Sequence, residues 1–192
     1  VTGSAELNVV LTGFMGTGKT TVGRLVARDL GWTFVDTDDV IVARHGPIDA
    51  IFAEQGEDAF RALEREVAAD VARSQHHVIA TGGRMLLDPA NADALTATGR
   101  VFCLAAGADE IVRRLTADVD GPVRPLLAGD DPAAAVARLL NERAEGYGQF
   151  EQVHTANDSP EAVAARIIRL HRSPARSDDG PRLPADFGAC GT

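Results

Sequence analysis

Residues 11–23 read LTGFMGTGKTTVG, and no other stretch limits the fold as tightly. Gly13, four further residues and then Gly18-Lys19-Thr20 make the spacing G-x4-G-K-[ST]. An apolar run, LNVVLT (7–12), precedes it. A helical pattern over 18–30 follows, with Val22, Leu25, Val26 and Leu30 on one face. A strand that turns through glycines into a helix brings successive backbone N–H groups around one concavity, because no Cβ fills it. The helix adds its unpaired first-turn N–H groups and the positive end of its dipole. Such a cradle suits a phosphate chain, with Gly13, Gly16, Thr17, Gly18 and Thr21 around it. Lys19 can reach the terminal phosphates, and the Thr20 hydroxyl can ligate Mg²⁺.

The rest of the chain repeats the alternation of strand and helix. TFVD (33–36), HVIAT (77–81) and RVFCL (100–104) read as buried strands, and EQVHT (151–155) is a weaker fifth. Residues 57–74 space Phe60, Leu63, Val67 and Val71 for a helix. Asp88-Pro89, Asp131-Pro132 and Ser159-Pro160 each pair an N-cap acceptor with proline at the first helical position, so three more helices are predicted there. Strands separated by helices imply an α/β fold, with a parallel sheet covered on both faces. Residues 1–6 read as a flexible leader, 7–170 as one domain and 171–192 as a disordered tail.

Charge and composition exclude several classes. Lys and Arg number 19 against 28 Asp and Glu, a net charge of −9, which argues against a nucleic-acid binder. No run of about 18 apolar residues is present, so no membrane span is expected. Cys103 and Cys190 give neither a disulfide framework nor zinc spacing. A cytoplasmic protein follows. The chain has no N-K-x-D guanine element and no apolar run ending in D-E, which disfavours a GTPase switch or a motor and leaves a compact kinase using ATP.

Beyond the second strand, Asp36 and Asp38 flank Thr37, where side chains meet the phosphate loop of an open α/β sheet. One carboxylate could hold Mg²⁺ and the other orient or accept a hydroxyl proton; alternatively Asp38 merely caps a helix. Arg61 and Glu64 share a helix face, Gly82-Gly83 allow close approach of backbone to a ligand, and Arg124 lies between Pro and Gly in GPVRPLLAG. Arg143 stands in NERAEGY.

Taken in order over about residues 7–170, GFMGTGKTTVG, DTDD, IFAEQGEDAFRALE, GG, RPLLAG and ER…Y resemble the shikimate kinase family. The resemblance implies a three-layer α/β/α fold with a five-stranded parallel sheet of order 2-3-1-4-5, and a lid over about 116–130. It implies phosphorylation of the 3-hydroxyl of shikimate by ATP with Mg²⁺, in a monomer. It assigns Lys19 and the loop to the phosphates, and Thr20 with Asp36 to the metal. Asp38 becomes the acceptor-binding base. Arg61, Arg143, Gly82 and Gly83 line the acceptor, with Glu64 supporting Arg61. Arg124 bridges substrate and phosphates, while Arg114 and the loop ANDSP (156–160) meet adenine. The match departs in three places: where the family has a third glycine this chain has Arg84, after Tyr147 it continues GQFEQV instead of toward VA, and the loop 156–160 lacks a basic residue often found there. A left-handed backbone at Arg84 would cost about 1 kcal/mol. Its side chain either turns outward or adds a cation for a different acceptor. A related kinase for another carboxylated or polyhydroxy acceptor, or a non-catalytic ATP-binding regulator, therefore stay open.

Overall fold

The computed structural model describes residues 7–117 and 130–173. Five strands form one sheet: β1 (Asn8–Thr12), β2 (Thr33–Asp36), β3 (His77–Ala80), β4 (Gly99–Ala105) and β5 (Glu151–His154). Their order is β2-β3-β1-β4-β5, and every pairing is parallel. The 2-3-1-4-5 expectation is met, and the weak fifth strand is a strand. The helices are α1 (Lys19–Leu30), α2 (Thr37–His45), α3 (Ile48–Ala72), α4 (Pro89–Thr96), α5 (Ala108–Ala117), α6 (Pro132–Glu142), α7 (Ala144–Gly148) and α8 (Pro160–Arg172).

Apolar runs form the central strands because both faces of a parallel sheet are covered. Along β1 the side chains alternate. Val9 and Leu11 join Val22 and Val26 of α1 and Val163 and Ile167 of α8 on one face. Val10 joins Val67 and Val71 of α3, Leu95 of α4 and Ile111 of α5 on the other. The three cap-proline signals hold. Asp88, Asp131 and Ser159 accept from Ala90 N (3.0 Å), Ala134 N (2.9 Å) and Ala162 N (3.2 Å).

Two readings need adjustment. The helix expected over 57–74 begins earlier, at Ile48, and bends at Gly56, whose φ of 84° and ψ of 177° are not helical. The cap of α2 is Asp36 rather than Asp38: Asp36 Oδ1 accepts from Asp38 N at 3.1 Å. Arg124 and nearly all of the expected lid lie outside the described residues, as do the leader, Cys190 and most of the tail. Among the described residues, no helix is long and apolar enough to cross a membrane.

Candidate active site

The sheet order places β1 between strands that lead to opposite halves of the molecule, and ligands of open α/β sheets settle at that switch point, beyond the strands' carboxyl ends. Here the phosphate loop leaves β1. Gly13, Gly16 and Gly18 have φ of 126°, 75° and 95°, a region that side chains strain to enter. A Cβ on Gly13 would stand 2.3 Å from the Leu104 carbonyl oxygen, so the loop also packs against β4 too tightly for any other residue. Lys19 Nζ folds back to donate to Gly13 O at 2.9 Å and Phe14 O at 3.0 Å. Desolvation holds the Lys19 pKa below its ordinary value, partly opposed by Asp38 and Asp36. Among the described residues the hydrogen-bond acceptors of this desolvated cation are carbonyl oxygens, which phosphate oxygens could replace.

Asp36 links the loop to the second strand. Its Oδ2 accepts from Thr20 Oγ1 at 2.9 Å while its Oδ1 caps α2. The two expected metal ligands are thus neighbours, and both are the hard oxygen donors that suit Mg²⁺.

Asp38, in the first turn of α2, faces the turn after β3. A Cβ on Gly82 would lie 2.8 Å from Asp38 Oδ1 and 3.1 Å from Glu64 Oε1, so any other residue there would push the Asp38 carboxylate aside. Burial, then the Asp36 charge, push the Asp38 carboxyl up to about 6, against the pull of Lys19. A carboxylate near 6 is half-way to neutral-pH base chemistry, where a free aspartate is too weak.

Arg61 is held from two sides. Its Nη1 donates to Glu64 Oε2 at 2.5 Å, and its Nε and Nη2 donate to Glu57 Oε1 at 3.2 and 2.9 Å. Glu64 is only 2% exposed, so it supports Arg61 from the interior, as the resemblance implied. Arg143 sits at the bend between α6 and α7, its guanidinium carbon 5.0 Å from the Phe14 ring centre. Its Nη1 is 3.8 Å from where a Gly83 Cβ would stand. The two arginines therefore flank one turn, Arg61 on the Gly82 side through Glu64 and Arg143 on the Gly83 side.

Three residues to which the sequence assigned no role stand around this turn. Buried Thr37, between the two aspartates, accepts from Gly82 N at 3.1 Å. Tyr147, one helical turn beyond Arg143, donates its hydroxyl to Gly83 O at 2.5 Å. Glu57 holds Arg61 and lies four residues before it, a helical i,i+4 spacing that could have revealed it. Arg84 does not strain the backbone, since its φ is −113°. Its side chain is half exposed and pairs with Glu57 at 2.9 Å.

A cleft of about 580 Å³ opens at the other end of the loop, lined by Thr17, Gly18, Thr21, Arg114, Thr155 and Asn157 among others. Arg114 is one of its lining residues. It donates to Thr155 O at 2.6 Å, Thr155 Oγ1 at 3.0 Å and Thr17 O at 3.4 Å, joining the loop to the segment after β5. Hydrogen bonds from Arg113 and Arg114 hold the Glu110 carboxyl down at about 2, so it stays charged as their anchor. Arg114 and residues 156–160 thus border the cleft to which the resemblance assigned adenine.

A phosphate cradle at the end of β1, faced by an aspartate from beyond β2, on a sheet of this order, belongs to the P-loop kinases that phosphorylate small molecules. Similarity to known proteins narrows the class. The family model described as "Shikimate kinase" matches residues 15–172. Shikimate kinase of Moorella thermoacetica is 44% identical over 164 residues, covering 84% of this chain and 92% of that one. That of Caldicellulosiruptor saccharolyticus is 42% identical over 166 residues, covering 85% and 95%. Among solved structures, shikimate kinase from Acinetobacter baumannii in complex with shikimate superposes with a TM-score of 0.77 at 32% identity, covering 85% of this chain and 92% of that chain. The chain belongs to the shikimate kinase family, a family of ATP-dependent phosphotransferases.

Proposed function

We propose that the chain transfers the γ-phosphoryl group of ATP to the 3-hydroxyl of shikimate, giving ADP and shikimate 3-phosphate. The observation that carries this reading is the approach of Asp38 to the Gly82 turn, with Arg61 and Arg143 on its two sides. An alcohol resting on that turn meets a carboxylate of raised basicity. A carboxylate on the same ligand meets guanidinium groups, whose planar forks match it. The O–P bond forms at the acceptor hydroxyl as the bond to the β–γ bridging oxygen breaks, and the hydroxyl proton passes to Asp38. Phosphoryl transfer asks mainly for positioning and charge stabilisation, which the loop N–H groups and Lys19 supply.

Thr20 Oγ1 and Asp36 Oδ2 would hold Mg²⁺. Among the described residues no group of three acidic, His or Cys side chains could hold a metal, so the remaining ligands would be phosphate oxygens and water. When bound, the ion neutralises phosphate charge during transfer. Arg84, the residue that favoured another acceptor, is committed to Glu57.

The test is a coupled ADP-release assay. ADP release should depend on shikimate, and Arg143→Ala should lower kcat/KM for shikimate on the order of a hundredfold, as expected when the substrate carboxylate loses a hydrogen-bonded cation. Turnover with a different acceptor but none with shikimate would overturn the reading.

A further inference from the structure

Arg84 stands in the turn after β3, next to Gly82 and Gly83, and takes no part in the chemistry assigned to Asp38, Arg61 and Arg143. Its Nη1 donates to Glu57 Oε1 at 2.9 Å, the same oxygen that accepts from Arg61 Nε and Nη2. Glu64 takes Arg61 Nη1 from the buried side. A guanidinium has five N–H donors. Among the described residues three of those on Arg61 are engaged, and each terminal nitrogen keeps one further N–H with which it can meet a carboxylate. Glu57 and Glu64 therefore clamp Arg61 between an exposed and a buried carboxylate.

That clamp depends on a side chain with little else to hold it. Glu57 is 50% exposed, and its hydrogen bonds to Arg61, with the charges of Arg61 and Arg84, keep its carboxyl below the ordinary range. With Arg61 as its only cation, Glu57 would sway among rotamers and would set a negative charge beside a site for an anionic acceptor. Arg84 gives it a second fixed point and a second positive charge. Its backbone, with φ −113° and ψ −7°, is one that any residue adopts, so the position is free to carry a side chain.

We propose that Arg84 is a positioning residue for the acceptor carboxylate, fixing Arg61 through Glu57 and neutralising the charge that would oppose an acidic acceptor. This rests on the reading of Arg61 as the group that binds that carboxylate. The test compares kcat and KM for shikimate and for ATP in the wild type, Arg84→Gly, Arg84→Lys, Glu57→Gln and the double variant Glu57→Gln/Arg84→Gly. Arg84→Gly should raise KM for shikimate about three- to tenfold, with kcat and KM for ATP within about twofold, the scale of a half-exposed ion pair. Arg84→Lys should restore KM to within about twofold, because lysine keeps the charge. In the Glu57→Gln background, Arg84→Gly should change KM by less than about twofold, since coupled residues are not additive. Equal effects in both backgrounds, an effect confined to kcat, an unchanged KM or no rescue by lysine would each overturn the proposal. Arg61→Ala separates it from the reading beneath. If shikimate is not turned over by the wild type, or if Arg61→Ala leaves its KM intact, the role of Arg61 falls and that of Arg84 with it. If Arg61→Ala cripples KM, the Arg84 variants judge Arg84 alone.

Discussion

Asp38 carries a cost that its position makes calculable. Its carboxyl has an ordinary value of 3.8 and is raised to about 6 by burial first and by Asp36 second. A raised acid stabilises the fold while protonated. That contribution is whole below 3.8 and is lost as pH rises through about 6. The shift corresponds to at most about 3 kcal/mol at 1.36 kcal/mol per pKa unit. Partial exposure brings this to about 1–2 kcal/mol. Asp38→Asn should therefore raise the melting temperature at pH 7.5 by about 2–6 °C while abolishing turnover, and the gain should vanish near pH 3.5. In the wild type, kcat/KM should fall as pH drops through about 6, because the protonated carboxyl cannot accept the hydroxyl proton. Scanning calorimetry and a pH–rate profile check the two halves; an Asn variant no more stable than wild type at pH 7.5 contradicts the first. The carboxylate pair was legible in the sequence because β2 had to end beside the loop. Which aspartate caps α2 was not, since both stand at the start of the same helix and a shift of two residues in its first turn exchanges their places. Arg84 was illegible for another reason: its partner Glu57 is 27 residues away and is brought close only by the packing of α3 against the turn after β3.

At the level of elements, Gly13 and Gly31 give a controlled contrast. Both have φ in the left-handed half, 126° and 71°. A Cβ on Gly31, the C-cap of α1, would meet nothing within 4 Å, whereas on Gly13 it would meet the Leu104 carbonyl oxygen at 2.3 Å. Gly31→Ala should cost about 1 kcal/mol, the backbone strain alone. Gly13→Ala must in addition part β1 from β4 and should cost more than about 3 kcal/mol. Urea unfolding measures both, and equal losses would mean that the β1–β4 approach is looser than described. Strands were the most legible elements, because apolar runs covered on both faces admit little else at this spacing. Helix starts marked by Asp-Pro or Ser-Pro were equally clear, since the cap chemistry is local. The first turns of α3 were missed: Gly56 interrupts the helical period there, and a glycine with φ of 84° reads as an end when it is a bend.

For the molecule as a whole, the two ligand sites share one loop but are held by different side chains, and this makes their binding energies separable. Among the described residues, Lys19 Nζ donates to the Gly13 and Phe14 carbonyls alone, and desolvation keeps its pKa below the ordinary value. Exchanging a desolvated ammonium for an apolar chain of similar length is close to neutral, so Lys19→Met should melt within about 2 °C of wild type. ATP at a hundredfold its Kd should stabilise the wild type by about 2.7 kcal/mol, or about 5–11 °C for a domain of this size. Lys19→Met should lose most of that shift at the same ATP concentration, because the phosphates lose their cation. The shift produced by shikimate should survive, since Arg61 on α3 and Arg143 at the α6–α7 bend do not rely on Lys19 for their placement. Thermal shift assays with each ligand alone decide the matter. If Lys19→Met erased the shikimate shift as well, the acceptor turn and the phosphate loop would have to order as one unit, with the loop's own hydrogen bonds holding Gly82 and Gly83 in place.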